Sequence, residues 1–134
     1  MELKELRIGN IVWENYSGEM IVSELRYSTE SMYLRKTWLL PDGLYKVKDI
    51  EPIPLTEEWV LRFGFNKVSV DEITAYHKHD FRLSKTGGDG FYTATYRGEF
   101  LVFIKKVHQL QNLYFALTGD ELEIKNEEHE KETT

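Results

Sequence analysis

The chain contains no cysteine, only 3 prolines among 134 residues, and no apolar run approaching the roughly 20 residues that a membrane-spanning helix requires. Without cysteine there is no disulfide framework, no thiolate zinc site and no cysteine nucleophile, so several enzyme classes drop out together. Positive charge is also short, with 17 Lys and Arg against 23 Asp and Glu for a net charge of −6. Met1-Glu2-Leu3-Lys4-Glu5-Leu6-Arg7 alternates charge with leucine and has no apolar signal core, so the expected location is cytoplasmic, with no membrane partner.

Most of the negative charge sits at one end. Residues 120–134 hold seven acids and two bases, a net −5, whereas the other 119 residues carry 16 acids and 15 bases, a net −1. The near-neutral body argues against a DNA mimic whose whole surface is acidic, and 120–134 reads as an acidic, solvated tail. With 41% hydrophobic and 13% aromatic residues, the body 1–119 suffices for a single compact domain. Within it, 1–50 is strand-rich and 51–119 reads as helix, sheet and helix.

Leu6–Trp13 reads as a first strand, and Ser17-Gly18 turns the chain into Glu19–Leu25 as a second. Ser31–Leu40 follows, then Pro41-Asp42-Gly43 as a turn and Tyr45–Ile50 as a fourth strand. Four short strands in the first 50 residues predict a bent sheet or an SH3-like small barrel. Glu51-Pro52-Ile53-Pro54 lacks the donors of a central strand and reads as a stiff connector.

Two helices are predicted, each starting at a polar residue and stopping at a glycine. In the first, Thr56 is the N-cap, Glu57 and Glu58 lie where the helix dipole favours acids, Trp59, Val60 and Phe63 form the apolar face, and Gly64 ends it. In the second, Leu110, Leu113, Tyr114 and Leu117 fall at i, i+3, i+4 and i+7, and Gly119 closes the stripe. Between them lie strand candidates at 67–70, 73–83, 91–96 and 100–107, with a loop over 85–90 and a tight turn at Arg97-Gly98; Leu122 and Ile124 could add a last short strand. The predicted class is α+β, two short helices covering a mainly antiparallel sheet.

Three phrases carry a further signal: Glu5-Leu6-Arg7-Ile8-Gly9-Asn10; Pro52-Ile53-Pro54-Leu55-Thr56-Glu57-Glu58-Trp59 with Phe63-Gly64-Phe65; and the whole of 107–119. In these the chain resembles a family of small uncharacterised proteins from Bacteroidetes, their prophages and other mobile elements. The resemblance implies a phage or mobile-element setting and carries over no activity and no catalytic residue.

Candidates for chemistry are sparse. His77-Lys78-His79-Asp80 is the best metal candidate, because residues 77 and 79 of one strand would share a face and could share an ion, but a third anchor is missing and a polar strand end is the plainer reading. His108 could act as acid or base; a helix cap or a network with Gln109 and Asn112 explains it more simply. Gly87-Gly88-Asp89-Gly90 lacks the spacing of a phosphate-binding loop. No cofactor motif is present, and the expectation is a non-enzyme.

Binding remains. Trp13, Tyr33, Arg35, Lys36, Trp38, Lys46 and Lys48 mix aromatic and basic groups in the first 50 residues and are the candidate contact residues. The expected role is that of a protein-binding accessory or regulatory factor of a phage or mobile element, one form being an anti-CRISPR-like inhibitor of a host defence nuclease. The alternative is a nucleic-acid-binding regulatory module that uses the N-terminal barrel.

Overall fold

In a computed structural model the chain is described over residues 1–36, 39–71, 73–86 and 90–125, with 39–42, 70 and 86 described by their backbone alone. The class is α+β, mostly antiparallel sheet with two helices and a curled half-barrel. Two five-stranded sheets make up the fold.

The first sheet contains β1 (Ile11–Glu14), β2 (Gly18–Arg26), β3 (Ser31–Lys36), β4 (Leu39–Lys46) and β5 (Ile50–Glu51), in the order β4-β3-β2-β1-β5 with every pairing antiparallel. A 3-10 turn over Val47–Asp49 precedes β5, which pairs back to β1 as the sheet curls into a half-barrel. Val12, Met20, Val22, Met32, Leu34 and Ile50 point inward and, with Leu3 and Leu6, form the first core. Glu14 is buried because its Oε1 accepts the N–H groups of Tyr16 (3.1 Å) and Ser17 (2.8 Å), holding the β1–β2 turn.

Pro41-Asp42-Gly43 lies inside β4 and does not form the expected turn. Leu34 pairs with Gly43 and Lys36 with Leu39, so the ladder is interrupted around Pro41. A proline is tolerated there because β4 is an edge strand and the irregularity spares it a ladder donor. The first strand also begins later than expected. Leu6–Asn10 is turned locally, with Asn10 Oδ1 accepting the Arg7 N–H at 2.7 Å; Gly9 and Asn10 bond to the main chain of Val22, and the regular strand starts at Ile11.

The second sheet is a meander of β6 (Asn66–Val70), β7 (Ile73–Lys78), β8 (Phe81–Thr86), β9 (Phe91–Tyr96) and β10 (Glu99–Ile104), ordered β10-β9-β8-β7-β6. The strand expected over 73–83 is in fact two, because His79 takes φ 55° and turns the chain at His79-Asp80. Arg97 (φ 51°) and Gly98 (φ 84°) form the predicted tight turn, with both residues left-handed as a two-residue hairpin favours.

Helix α1 (Glu57–Arg62) and helix α2 (Val107–Thr118) cover this sheet. Trp59, Val60 and Phe63 from α1 and Leu110 and Tyr114 from α2 join Phe81, Leu83, Tyr92 and Ala94 in the second core, and Leu113 and Leu117 pack at its border. Thr56 occupies the N-cap position of α1, although its hydroxyl makes no capping bond. The proline connector does more than space the elements. Ile53 and Leu55 are buried, the Leu55 N–H donates to Lys105 O and the Val107 N–H to Ile53 O, both at 2.8 Å. Leu122 is buried outside any strand, and Lys125 N–H reaches Arg62 O at 2.6 Å, so residues 120–125 of the expected solvated tail pack on the body.

The two sheets meet through a polar seam. Ile11 of β1 belongs to the second core, and Gln111 Oε1 accepts its N–H at 2.8 Å while Gln111 Nε2 donates to Gly9 O at 3.1 Å. Asn10 Nδ2 donates to Asn112 Oδ1 at 2.8 Å, and Asn112 Nδ2 donates to Glu5 O at 3.0 Å. The Arg7 guanidinium lies 4.2 Å from the Phe115 ring centroid and pairs with Glu121.

Candidate functional site

The aromatic and basic residues singled out in the first sheet divide between its faces. Alternation and register put Trp13, Tyr33, Arg35 and Lys46 on the outer face; Lys36 follows a ladder irregularity, its Nζ and the Trp13 ring both lying within 4.0 Å of where a Cβ on Gly18 would be, and Lys48 lies in the 3-10 turn. Trp38 lies outside the described residues. The shared face is not a basic patch. Trp13 stands opposite Glu19 and Glu51, Tyr33 stands opposite Glu24, and Arg26 stacks 4.8 Å over Tyr33 while pairing with Glu24 at 2.6 Å. Near β1 the same face is already occupied, because Ile11 and Ile21 pack into the second core and Glu19 takes both Arg62 nitrogens at 2.8 and 3.1 Å.

The metal candidate is dispersed. His77 remains on β7, His79 is in the left-handed turn and so does not share a strand face with it, and Asp80 pairs with Arg97 at 3.3 Å. Among the described residues no group of three His, Asp or Glu side chains could hold an ion. Asp80, His79 and Arg97 rim a hollow of about 430 Å³ floored by Tyr114. Glu57 likewise has a structural task, accepting Lys67 Nζ at 2.8 Å and Tyr76 Oη at 3.1 Å. Those bonds hold its carboxyl below the ordinary value, and burial together with the Glu57 contact pushes Tyr76 up to about 12, so the phenol keeps its proton.

The feature that stands apart is β10. It forms one edge of the second sheet and its outer side pairs with no described strand. Phe100 (52% exposed), Leu101 (37%), Val102 (42%) and Phe103 (56%) follow one another along it. A bulge between Phe100 and Val102 breaks the alternation. Phe100 therefore faces Thr95 and Phe103 faces Thr93, two residues on one face of β9, and the Phe100 and Phe103 rings sit 5.1 Å apart on the outer surface. Phe91 extends this aromatic face, with Lys105 Nζ 5.0 Å over its ring. The opposite edge, β6, is managed in the usual way: Lys67 sits in the strand and is paired with Glu57. No charge interrupts β10 between Glu99 and Lys105.

On its other side β10 borders a groove of about 410 Å³ shared with α2. Val102, Phe103 and Leu113 line it with apolar surface, and Glu5, His108 and Asn112 line its polar part. His108 is only 2% exposed, and neither ring nitrogen has a hydrogen-bond partner; Nε2 is 3.7 Å from Glu5 Oε1. The helix is capped instead by Gln109, whose Oε1 accepts the N–H groups of Lys105 and Lys106 at 3.0 Å each. Burial lowers the His108 pKa, with the Glu5 carboxylate pulling it back upward.

Sequence reasoning placed a strand here but missed the surface. The signal is the absence of alternation in Phe100-Leu101-Val102-Phe103, since a strand apolar on both faces must be covered on both or exposed on one.

Comparison with protein-family models, with curated proteins and with solved structures finds no match to this chain. No helix among the described residues is long and apolar enough to cross a membrane.

Proposed function

We propose that this protein acts by binding another protein, without bond-making chemistry, through β10 and the groove beside it. The observation that carries this reading is the exposure of four consecutive large apolar side chains on an unpaired sheet edge. An edge of this kind supplies main-chain donors and acceptors to an added strand, while the adjoining pocket receives a side chain. Leaving it bare would invite aggregation, so a partner that covers it explains its retention. Most of the titratable groups considered above have structural tasks, Glu57, Tyr76, Asp80 and Arg97 being committed to one another or to neighbouring lysine, and the acid and base that do share a hollow, Glu5 and the buried His108, stand 3.7 Å apart at the polar end of the groove.

In the phage or mobile-element setting that the resemblance implies, this is the role of an accessory or regulatory factor, and inhibition of a host defence nuclease is one form of it. The nucleic-acid alternative ranks second, because Arg35 and Lys46 share their face with Glu19, Glu24 and Glu51 and lack the unbroken positive potential that phosphate binding exploits.

The test is capture from host lysate with the tagged full chain, with and without nuclease, comparing wild type, Phe103→Lys and Arg35→Glu/Lys36→Glu. A stoichiometric partner that survives nuclease, is lost from Phe103→Lys and is retained by the double variant supports the reading. Recovery that vanishes with nuclease, or that only the double variant loses, overturns it in favour of the N-terminal sheet.

A further inference from the structure

The segment Glu99-Phe100-Leu101-Val102-Phe103-Ile104-Lys105-Lys106 has an acid at its start, two bases at its end and five apolar residues, 100–104, in between. Glu99, Lys105 and the side chains of Phe100 to Phe103 are exposed, and among the described residues no strand pairs with the outer side of Glu99–Ile104; beyond it Lys105 O and the Val107 N–H are already bonded to Leu55 and Ile53. Such a strand is complementary to itself in one orientation. When two copies run antiparallel, Glu99 of each comes beside the lysines that follow the other's strand, twice over by symmetry. A parallel neighbour would set like charges together at both ends.

We infer that the strand covering β10 is β10 of a second copy of this chain, added antiparallel about a twofold axis close to Leu101 and Val102, so that the ladder spans Glu99–Ile104 and sets Glu99 of each copy next to Lys105 of the other. This inference rests on the reading of β10 as a protein-docking edge and names its occupant. The pairing joins two five-stranded sheets into one and brings the Phe100 and Phe103 rings of both copies together on the outer face. It also closes on itself. The free edges of the joined sheet are then the two β6 strands, which differ from β10 and carry Lys67, so the assembly stops at two copies and does not grow into a fibre. Edge pairing uses the main chain of β10 and leaves the groove against α2 open in each copy, so the dimer presents two such grooves to a further partner.

The charge arrangement makes the test specific. Sedimentation equilibrium of the full chain should show a monomer–dimer equilibrium that weakens with added salt. Glu99→Lys should raise the dimer dissociation constant at least about tenfold, as should Lys105→Glu/Lys106→Glu, and the triple variant Glu99→Lys/Lys105→Glu/Lys106→Glu should recover most of the loss because the complementarity is restored with signs exchanged. Val102→Lys should give monomer with an unchanged far-ultraviolet dichroism spectrum. A wild type that stays monomeric up to roughly 1 mM overturns the inference, and so does a dimer indifferent to both charge reversal and Val102→Lys. The two readings fail separately. A monomeric wild type whose captured partner is lost on Phe103→Lys removes the second copy and keeps the docking edge, whereas a monomer whose capture is untouched by that change removes both.

Discussion

Gln111 Oε1 accepts the backbone N–H of Ile11 at 2.8 Å across 100 residues of sequence, and the same carboxamide donates to Gly9 O at 3.1 Å. One buried side chain thus satisfies a donor and an acceptor that the first strand exposes as it enters its sheet. Segments 5–10 and 107–119 meet at this seam. Gln111→Ala would strand both main-chain groups in a buried site and is expected to cost about 2–4 kcal/mol. Gln111→Glu keeps the acceptor, loses the donor and buries a charge, so it should be no better tolerated. Denaturant titration reads both; a loss below about 0.5 kcal/mol for the alanine variant would mean that water replaces the carboxamide without penalty.

His108 predicts a pH dependence. Its pKa is lowered from 6.5 by burial, while Glu5 raises it and Lys106 and the N-terminus lower it. Between 6.5 and the folded value the unfolded chain binds the proton and the folded chain does not, so stability rises with pH across that window. The contribution is complete above about 6.5 and is lost progressively as the pH falls below it. Unfolding free energy measured from pH 7.5 to 5 should therefore fall more steeply for wild type than for His108→Leu; parallel curves would show that His108 takes up its proton equally in both states.

Much of this architecture is legible in the sequence because its signals are local. The stripe Leu110, Leu113, Tyr114, Leu117 and the stop at Gly119 place α2 without reference to the rest of the chain, and Arg97-Gly98 declares its hairpin. What stayed hidden depends on distant partners. His79-Asp80 turns the chain with neither glycine nor proline, Pro41 is admitted to a strand only because that strand lies at an edge, and Leu122 is buried through packing no periodicity announces. The candidate site was missed for the same reason. Whether Phe100–Phe103 is core or surface depends on what lies beyond β10, and a single sequence does not show that the sheet ends there.

Gly64 ends α1 with φ 86°, and a Cβ built there would meet Lys125 Cε at 2.7 Å and Lys78 Nζ at 3.0 Å. Lys78 Nζ donates to Phe63 O at 3.0 Å, but both atoms lie toward the far ends of flexible side chains, so the left-handed backbone should dominate the penalty. Gly64→Ala is expected to cost about 1–2 kcal/mol. Gly98→Ala, with φ 84° and nothing within 4 Å of its Cβ, isolates the backbone contribution. Similar losses for the two would assign the cost to conformation; a loss at Gly64 larger by more than about 1 kcal/mol would show that the lysines are held rigidly enough to resist.

The described C-terminal segment, up to Lys125, packs on the body. Leu122 is buried, Ile124 packs against the second core and Lys125 N–H bonds to Arg62 O, while the partly exposed Arg7–Glu121 pair adds little. Ending the chain at Gly119 uncovers the site of Leu122 and should cost about 2–3 kcal/mol, the scale of burying one leucine side chain. Ending it at Lys125 keeps every one of these contacts and should leave stability within about 0.5 kcal/mol of the full chain. Thermal or denaturant unfolding of the two truncations separates them directly. Equal stabilities would mean that 120–125 rests on the body without holding it.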